Sequence, residues 1–298
     1  MLLEAARDID SVDTGEQAHA PAPGRVVPLC AARWSVIIPF YNEVDFLPDT
    51  LASLAAQTRP LRLILVDNGS TDGSAARAMA CCALLGLDAT LLTERRPGKV
   101  FALTTGLARV ATPLVATCDA DTWYPCDYLA EAEALLAAPG SVAAGAFFAG
   151  RDDRAAQRRK ALHIRIMPKL LRRQCHTGGA GQVFRTAALR RAGGFDARRW
   201  NYVLEDHEII HRVHHEGAMS YGARFWCAPS PRERNRESIR WTLAERIVYH
   251  AMAPIAGDWF FYQFLARRLD RRRMTSERIR ERPVQALRIV DAPAAAMC

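Results

Sequence analysis

LRLILVDNGSTDGSAARAMACCALLGLDATLLT, residues 61–93, decides the fold. LRLILV (61–66) is an apolar run of strand length, and NGSTDGS after it is a cluster of turn formers. The Ala-rich segment 75–86 reads as a helix, with Asp72 or Ser74 as its candidate cap. ATLLT (89–93) is a second strand. Strand, helix and strand in this order make a βαβ unit, whose strands run parallel with the helix packed on one face.

The alternation extends both ways. Upstream, SVIIPF (35–40) is a buried strand ended by Pro39, and residues 44–57 carry Phe46, Leu47, Leu51 and Leu54 on a helical pattern. Downstream come a helix at 98–110, a strand at 113–118 and a helix at 126–138. The expected fold class is α/β: a Rossmann-like, mostly parallel sheet with helices on both faces. In such sheets ligands sit beyond the carboxyl ends of the strands. PFYNE, VDNGSTDGS and CDADT all follow strands, so they should meet at one edge.

After residue 150 the pattern changes. A long basic helix is expected at 153–172, then the glycine-rich HTGGAGQVFR (176–185), a short helix and the turn AGGFD (192–196). LEDHEIIHRVHHEG reads as a helix from 205 to 216, AMSYGARFW (218–226) as a late strand, and the tail from 238 as helical. The expected organisation is a flexible leader over 1–33, a folded domain over 34–230, with a first half 34–125 and a second half 126–230, and a basic helical extension over 231–298.

The chain has 298 residues, half of them hydrophobic, and a net charge of +8. Such a surface favours phosphate-bearing partners without choosing among them. Residues 151–173 hold nine Lys/Arg, and residues 266–282 hold eight Arg. The eight cysteines show no CxxC or zinc spacing, as in a reduced, cytosolic protein. MLLEAARDIDSVD lacks the basic region and apolar core of a signal peptide. AMAPIAGDWFFYQFLA is interrupted by Asp258 and is too short to span a bilayer. No nucleic-acid motif is present, so nucleic acid is not an expected partner.

LVATCDADTWYP (114–125) ends an apolar run with two carboxylates, Asp119 and Asp121. Such a pair can hold Mg²⁺ or Mn²⁺, which take hard oxygen ligands, or can bond the local turn. Asp67 can accept hydrogen bonds from a base or ribose, or cap its own loop. Glu43 can line the same edge or match the positive end of the helix that follows. Glu205 and Asp206 form a second acidic pair, either a general base or first-turn charge. His207 and His211 are spaced i,i+4, which suits chelation, surface exposure or packing.

Taken in order, SVIIPFYNE (35–43), LILVDNGSTDGS (63–74), GK (98–99), TCDADT (117–122), GQVFR (181–185), AGGFD (192–196) and LEDHEI (204–209) resemble the family 2 glycosyltransferases of the GT-A fold. The resemblance covers about residues 34–226 and implies inverting transfer of a sugar from a nucleoside diphosphate donor, UDP-linked by default. It implies Pro39, Tyr41, Glu43, Asp67, Lys99 and Asp119 in the nucleotide pocket. Asp121, with Asp119, would hold Mn²⁺ or Mg²⁺. Asp206 would be the catalytic base, with Glu205 as second choice. Gly179 and Gly181 would border the acceptor, as would Trp241 of ESIRW (237–241).

Two departures stand out. Thr104 occupies the helix position after GK where the family often has Asn. Glu237 replaces the Gln of the QxxRW motif of processive, membrane-embedded members, so single-sugar transfer is expected. The acceptor would be a sugar, a lipid-linked group or a small molecule. GDWFFYQFLARRLDRRRM (257–274) places aromatics beside arginines, which suits peripheral contact with the inner face of a membrane or packing on the catalytic domain. A sugar nucleotidyltransferase would want a glycine-rich basic loop after the first strand, where this chain has PFYNEVDF. A non-catalytic nucleotide binder would not need both carboxylate pairs.

Overall fold

In the computed structural model, residues 32–171, 173–230 and 241–277 are described. Most of the expected leader, Glu237 of ESIRW and the tail after 277 lie outside them. Four parallel strands form one half of the sheet: β1 (Trp34–Phe40), β2 (Leu61–Asp67), β3 (Ala89–Thr93) and β4 (Leu114–Thr117). The connections are α1 (Leu47–Ala55), α2 (Ser74–Leu85) and α3 (Lys99–Ala108). Then follow β5 (Thr122–Trp123), α4 (Tyr128–Leu136), β6 (Ser141–Phe148), α5 (Arg154–Leu170), β7 (Gln182–Arg185), α6 (Thr186–Arg191), α7 (Glu205–Val213) and β8 (Ala218–Pro229). A 3₁₀ turn, Gly179–Gly181, leads into β7.

The sheet order is β3-β2-β1-β4-β7-β6-β8-β5. β7 lies between β4 and β6, antiparallel to both, so the expected mostly parallel sheet is a mixed one. The two halves of the domain share this sheet. The strand period of two explains the layers. Trp34, Val36, Ile38 and Phe40 of β1 pack with Leu47 and Leu51 of α1 and Leu129 of α4. Ile37 points the other way, onto Val100, Leu103 and Leu107 of α3 and Ile209 of α7.

Two local expectations are corrected. Neither Asp72 nor Ser74 takes the N-cap position of α2: Gly73 does, at φ 85°, a left-handed value that glycine adopts without strain. Asp72 instead accepts bonds from the Ser74 amide and hydroxyl, at 2.9 and 2.5 Å. The helix expected from 126 begins at Tyr128.

The C-terminal part comprises α8 (Leu243–Asp258), a π-helical stretch Trp259–Leu265, and α9 (Ala266–Arg271). α8 contains Pro254 and kinks at Ala256. Its start is closed by a capping box between Thr242 and the fully buried Glu245. Glu245 also accepts from Arg268 and Arg272 at 3.1 Å. Phe260, Phe261, Leu265 and Leu269 are buried with Trp200 and Val203 of the segment before α7. Among the described residues, no helix is long and apolar enough to cross a membrane.

Candidate active site

The loops after β1 and β2 are stitched together. The Asn42 amide donates to Ser70 Oγ at 3.0 Å, and the Thr71 amide donates to Asn42 Oδ1 at 2.8 Å. The Glu43 amide donates to Ser74 Oγ at 2.8 Å. Asn42 holds φ 52°, a conformation Asn tolerates because its side chain bonds locally. Pro39 and Tyr41 lie at this β1 edge, beside Glu43. Asp67, at the end of β2, is buried, and its Oδ1 accepts from the Ser70 amide at 2.8 Å. One oxygen therefore performs the loop-capping role.

Asn68 does more than its position in a turn cluster suggested. Its Nδ2 donates to the carbonyls of Glu94 and Arg96 at 2.9 and 2.8 Å, while its Oδ1 accepts from the Gly98 amide at 2.8 Å. This clamp fixes the loop that delivers Lys99 to the first turn of α3. Thr104, at the family's Asn position, lies 2.8 Å from the carbonyls of Val100 and Phe195, tying α3 to the AGGFD turn.

Lys99 joins the two acidic pairs. Its Nζ is 2.7 Å from Asp119 Oδ1 and 3.5 Å from Glu205 Oε1. Burial alone would lower the Lys99 ammonium's pKa, but Asp119 and Glu205 outweigh it and raise it above the usual lysine range. Asp119 is anchored through its backbone: its amide donates to Tyr124 Oη at 3.0 Å, and that hydroxyl donates to the Ala180 carbonyl at 3.0 Å. Asp121 is 4% exposed, and its carbonyl accepts from the Ser230 amide at 2.7 Å.

Asp119 and Asp121 offer the hard carboxylate oxygens that Mn²⁺ and Mg²⁺ take, so the donor set fits either ion. Two carboxylates leave the remaining coordination to other oxygens, such as those of a diphosphate.

Glu205 and Asp206 open α7. Leu204 before them is left-handed, at φ 67°, a rare conformation for a branched residue and one that clusters at functional positions. Glu208 and Arg212 hold the helix from within: they pair bidentately at 2.7 and 2.8 Å, and Arg212 donates to the Ala192 and Gly194 carbonyls. Asp206 Oδ1 is 2.9 Å from His207 Nδ1 and accepts the His207 amide at 2.9 Å. Burial raises the Asp206 pKa, yet His207 and then Lys99 overcome it and hold this carboxyl below its ordinary value. Glu205 is shifted the opposite way: burial raises it, Lys99 only partly offsets this, and Asp206 adds to it. Asp206 is thus the more acidic of the two neighbours.

The residues brought together are Pro39, Lys99, Asp119, Gly179, Glu205 and Asp206, which line one small hollow at the strand ends. Gly181 does not join them. A Cβ there would lie 2.7 Å from the Ala146 carbonyl, so this glycine permits close chain packing. Trp241 lines a larger open cavity of about 440 Å³, together with Gly178 and His207. It also packs on Phe260 and Tyr249, at ring separations of 5.9 and 4.9 Å.

The histidines divide. His207 serves Asp206, whereas His211 Nε2 sits 2.7 Å from Asp258 Oδ1, so the i,i+4 pair does not converge on one point.

Sequence reasoning missed the pairing of His207 with Asp206 and the roles of Asn68 and Tyr124. The available signals were a polar residue beside each named carboxylate and, in DTWYP, a tyrosine large enough to reach back.

Residues 35–197, more than half of the chain, match the family described as Glycosyl transferase family 2. The chain belongs to glycosyl transferase family 2. The family 2 chain is 38% identical over 96 residues to the undecaprenyl-phosphate 4-deoxy-4-formamido-L-arabinose transferase of Serratia proteamaculans, a stretch covering 30% of this chain and 29% of that one. It is 40% identical over 87 residues to an uncharacterized glycosyltransferase of Mycobacterium tuberculosis, covering 29% and 36%. These matches span about a third of the relatives' own length.

Among solved structures, the mannosyltransferase PcManGT from Pyrobaculum calidifontis, in complex with GDP-Man and Mn²⁺, superposes at TM-score 0.60 and 25% identity. The match covers 79% of this chain and 68% of that one. S. aureus TarS 1-349 in complex with UDP-GlcNAc shares the fold, at TM-score 0.55, 19% identity and coverages of 80% and 70%. The GT-A fold class read from the motifs is the fold of these neighbours.

Proposed function

We propose that this family 2 chain transfers a single sugar from a nucleoside diphosphate sugar, with inversion, to a lipid-linked acceptor. One observation carries the reading. Lys99 connects the Asp119 of one acidic pair to the Glu205 of the other, and Asp206 stands at the wall between the strand-end hollow and the larger cavity.

The donor lies across the strand ends, with Asp67 toward the base and Asp119 toward the ribose or donor sugar. Pro39, Tyr41 and Glu43 line this pocket. Asp121 and Asp119 would hold Mn²⁺ or Mg²⁺, and the bound ion would neutralise charge on the departing diphosphate as a Lewis acid. A GDP-Man and Mn²⁺ complex of the Pyrobaculum neighbour supports that donor class.

Asp206, kept ionised by His207 and Lys99, accepts the proton of the acceptor hydroxyl. Displacement in line from the side opposite the diphosphate inverts the centre, with positioning supplying much of the rate. Lys99 keeps the two acidic pairs from repelling one another when both are ionised.

The acceptor enters through the 440 Å³ cavity. Lys160, His163, His176, His207, Arg246 and His250 line it, and among the described residues no carboxylate does. That lining favours an anionic acceptor, and the undecaprenyl-phosphate named for the Serratia relative is of this chemistry. A second reading follows from the same lining: the nucleophile is an already ionised phosphate oxygen and needs no base. Asp206→Asn separates the two, since only transfer to a hydroxyl requires proton removal.

The donor reading is tested by thermal shift with UDP, GDP and dTDP, each with and without Mn²⁺, on wild type and Asp121→Ala. Ligand binding to the folded state raises stability by mass action. A Mn²⁺-dependent shift for one nucleotide that the variant loses is the expected result. No shift with any of the three removes the metal-assisted transferase reading.

A further inference from the structure

Two helices wall the large cavity, and each leaves an apolar ridge in the open. On α5, Leu162, Ile166 and Leu170 are 58, 48 and 70% exposed. They are spaced i,i+4,i+8 and so form one ridge. On α8, Leu243, Ile247 and Ile255 are 75, 59 and 83% exposed and follow the same i+4 row, with Trp259 41% exposed beyond the kink. The cavity-facing residues are different ones: Lys160, His163 and Ile164 on α5, and Arg246, Tyr249 and His250 on α8. On both helices the ridge lies about a third of a turn from the cavity-facing side. The segment that follows α5 is tied to α8, where Gln174 Nε2 donates to the His250 carbonyl at 3.2 Å and Arg173 donates to the Pro254 carbonyl at 3.1 Å.

Soluble proteins leave single apolar residues exposed without consequence; exposed apolar rows on two helices that wall one cavity are a different matter. The charge around the α5 ridge selects the partner. α5 carries Arg154, Arg158, Arg159, Lys160, Arg165 and Lys169 and no carboxylate. By helical periodicity Arg158, Arg165 and Lys169 flank the ridge on the side away from the cavity, and all three are exposed. Apolar side chains beside a row of cations that no carboxylate of α5 opposes suit the boundary between anionic headgroups and acyl chains. A protein surface would have to bring matching carboxylates to the same face.

We infer that α5 and α8 dock this chain on an anionic lipid bilayer, ridges inward, with the mouth of the cavity beside the headgroups. This deepens the lipid-linked acceptor reading, and it centres membrane contact on these two helices, with Phe260 and Phe261 of the aromatic tail buried and only Trp259 of that tail joining the ridge. An acceptor anchored by its lipid would reach Asp206 from the headgroup layer without leaving the membrane.

Vesicle flotation with the full chain tests the docking, and it needs neither donor nor acceptor. Vesicles of phosphatidylcholine alone are compared with vesicles also containing phosphatidylglycerol. Wild type is expected to float with the anionic vesicles only, and high salt should weaken the binding. The variant Leu162→Ser/Ile166→Ser/Leu170→Ser should bind at least about tenfold more weakly, since buried apolar area sets interfacial affinity. Arg158→Glu/Arg165→Glu should lose the preference for anionic lipid. Both variants should keep the wild-type melting temperature and nucleotide response, because these side chains are solvent-exposed and lie outside the donor site.

Equal flotation of wild type and the ridge variant overturns the proposal, as does absence of binding to anionic vesicles. A dimer in gel filtration that the ridge variant converts to monomer, without vesicle binding, assigns the ridges to a second copy instead. If nucleotide binding fails while flotation succeeds, the transferase reading falls and the docking surface stands.

Discussion

Asp206 is held by its immediate neighbour. His207 contacts Oδ1 through both its amide and its ring, and this is what lowers a carboxyl that burial would raise. Removing the imidazole as His207→Ala should therefore raise the Asp206 pKa. A higher pKa protonates the base at higher pH, so the acid limb of the pH–rate profile is expected to move upward, with activity recovered at alkaline pH. Steady-state rates across pH check this, and an unmoved acid limb would count against Asp206 as the base. Asp206→Asn should lower transfer to a hydroxyl by about 10²- to 10⁴-fold while leaving the nucleotide thermal shift intact.

His214 reports on stability instead. Burial, followed by the nearby His211, depresses its pKa from 6.5 to about 4. A depressed folded pKa means that protonation favours the unfolded chain. This contribution is complete above pH 6.5 and is lost as pH falls toward 4. It amounts to about 3 kcal/mol at most. Melting temperatures over that range should fall less steeply in His214→Leu than in wild type.

At the scale of elements, α3 is the decisive contact. It carries Lys99 at its first turn and packs on β1 through Gly106, where an added Cβ would come 2.5 Å from Ile37 Cγ2 and 3.2 Å from Val66 Cγ2. Both obstacles are stiff β-branched side chains in the sheet, so the helix must move. Gly106→Ala is expected to destabilise by about 1–3 kcal/mol, measured by denaturant unfolding, and to weaken nucleotide binding by displacing Lys99. An alanine variant as stable as wild type would show that α3 has room to shift.

Elements also mark where local pattern failed. β6, SVAAGAFF, is rich in alanine and glycine and lacks the β-branched signature of strands. β7 has four residues, too few for a period to show. Both exist because neighbouring strands supply their hydrogen bonds.

On the scale of the whole molecule, two recesses meet at α7. Asp206 lines the strand-end hollow, and the adjacent His207 lines the cationic cavity. If the cavity receives an anionic acceptor, Arg246→Ala should raise the acceptor KM by roughly tenfold, the effect expected on losing one charged hydrogen bond. The nucleotide thermal shift should not change, because Arg246 does not line the hollow. A lowered kcat with unaltered acceptor KM would instead place Arg246 in the chemistry.

The sequence by itself determined the βαβ half, the edge at which its loops converge, and the residue types at that edge. Those signals are local: apolar period, turn formers and carboxylates within a few residues of each strand end. The family followed from the same motifs. Tertiary structure decided what depends on distant segments meeting. It made the sheet mixed by inserting β7 between β4 and β6, and buried Gly181 against Ala146. It joined Lys99 to Glu205, more than a hundred residues along the chain, and through it linked Asp119 to Glu205. It also buried Phe260 and Phe261 of the aromatic tail and left the ridges of α5 and α8 outside. An amphipathic helix records that one face is apolar; which surface covers that face is set only when the remaining elements have packed.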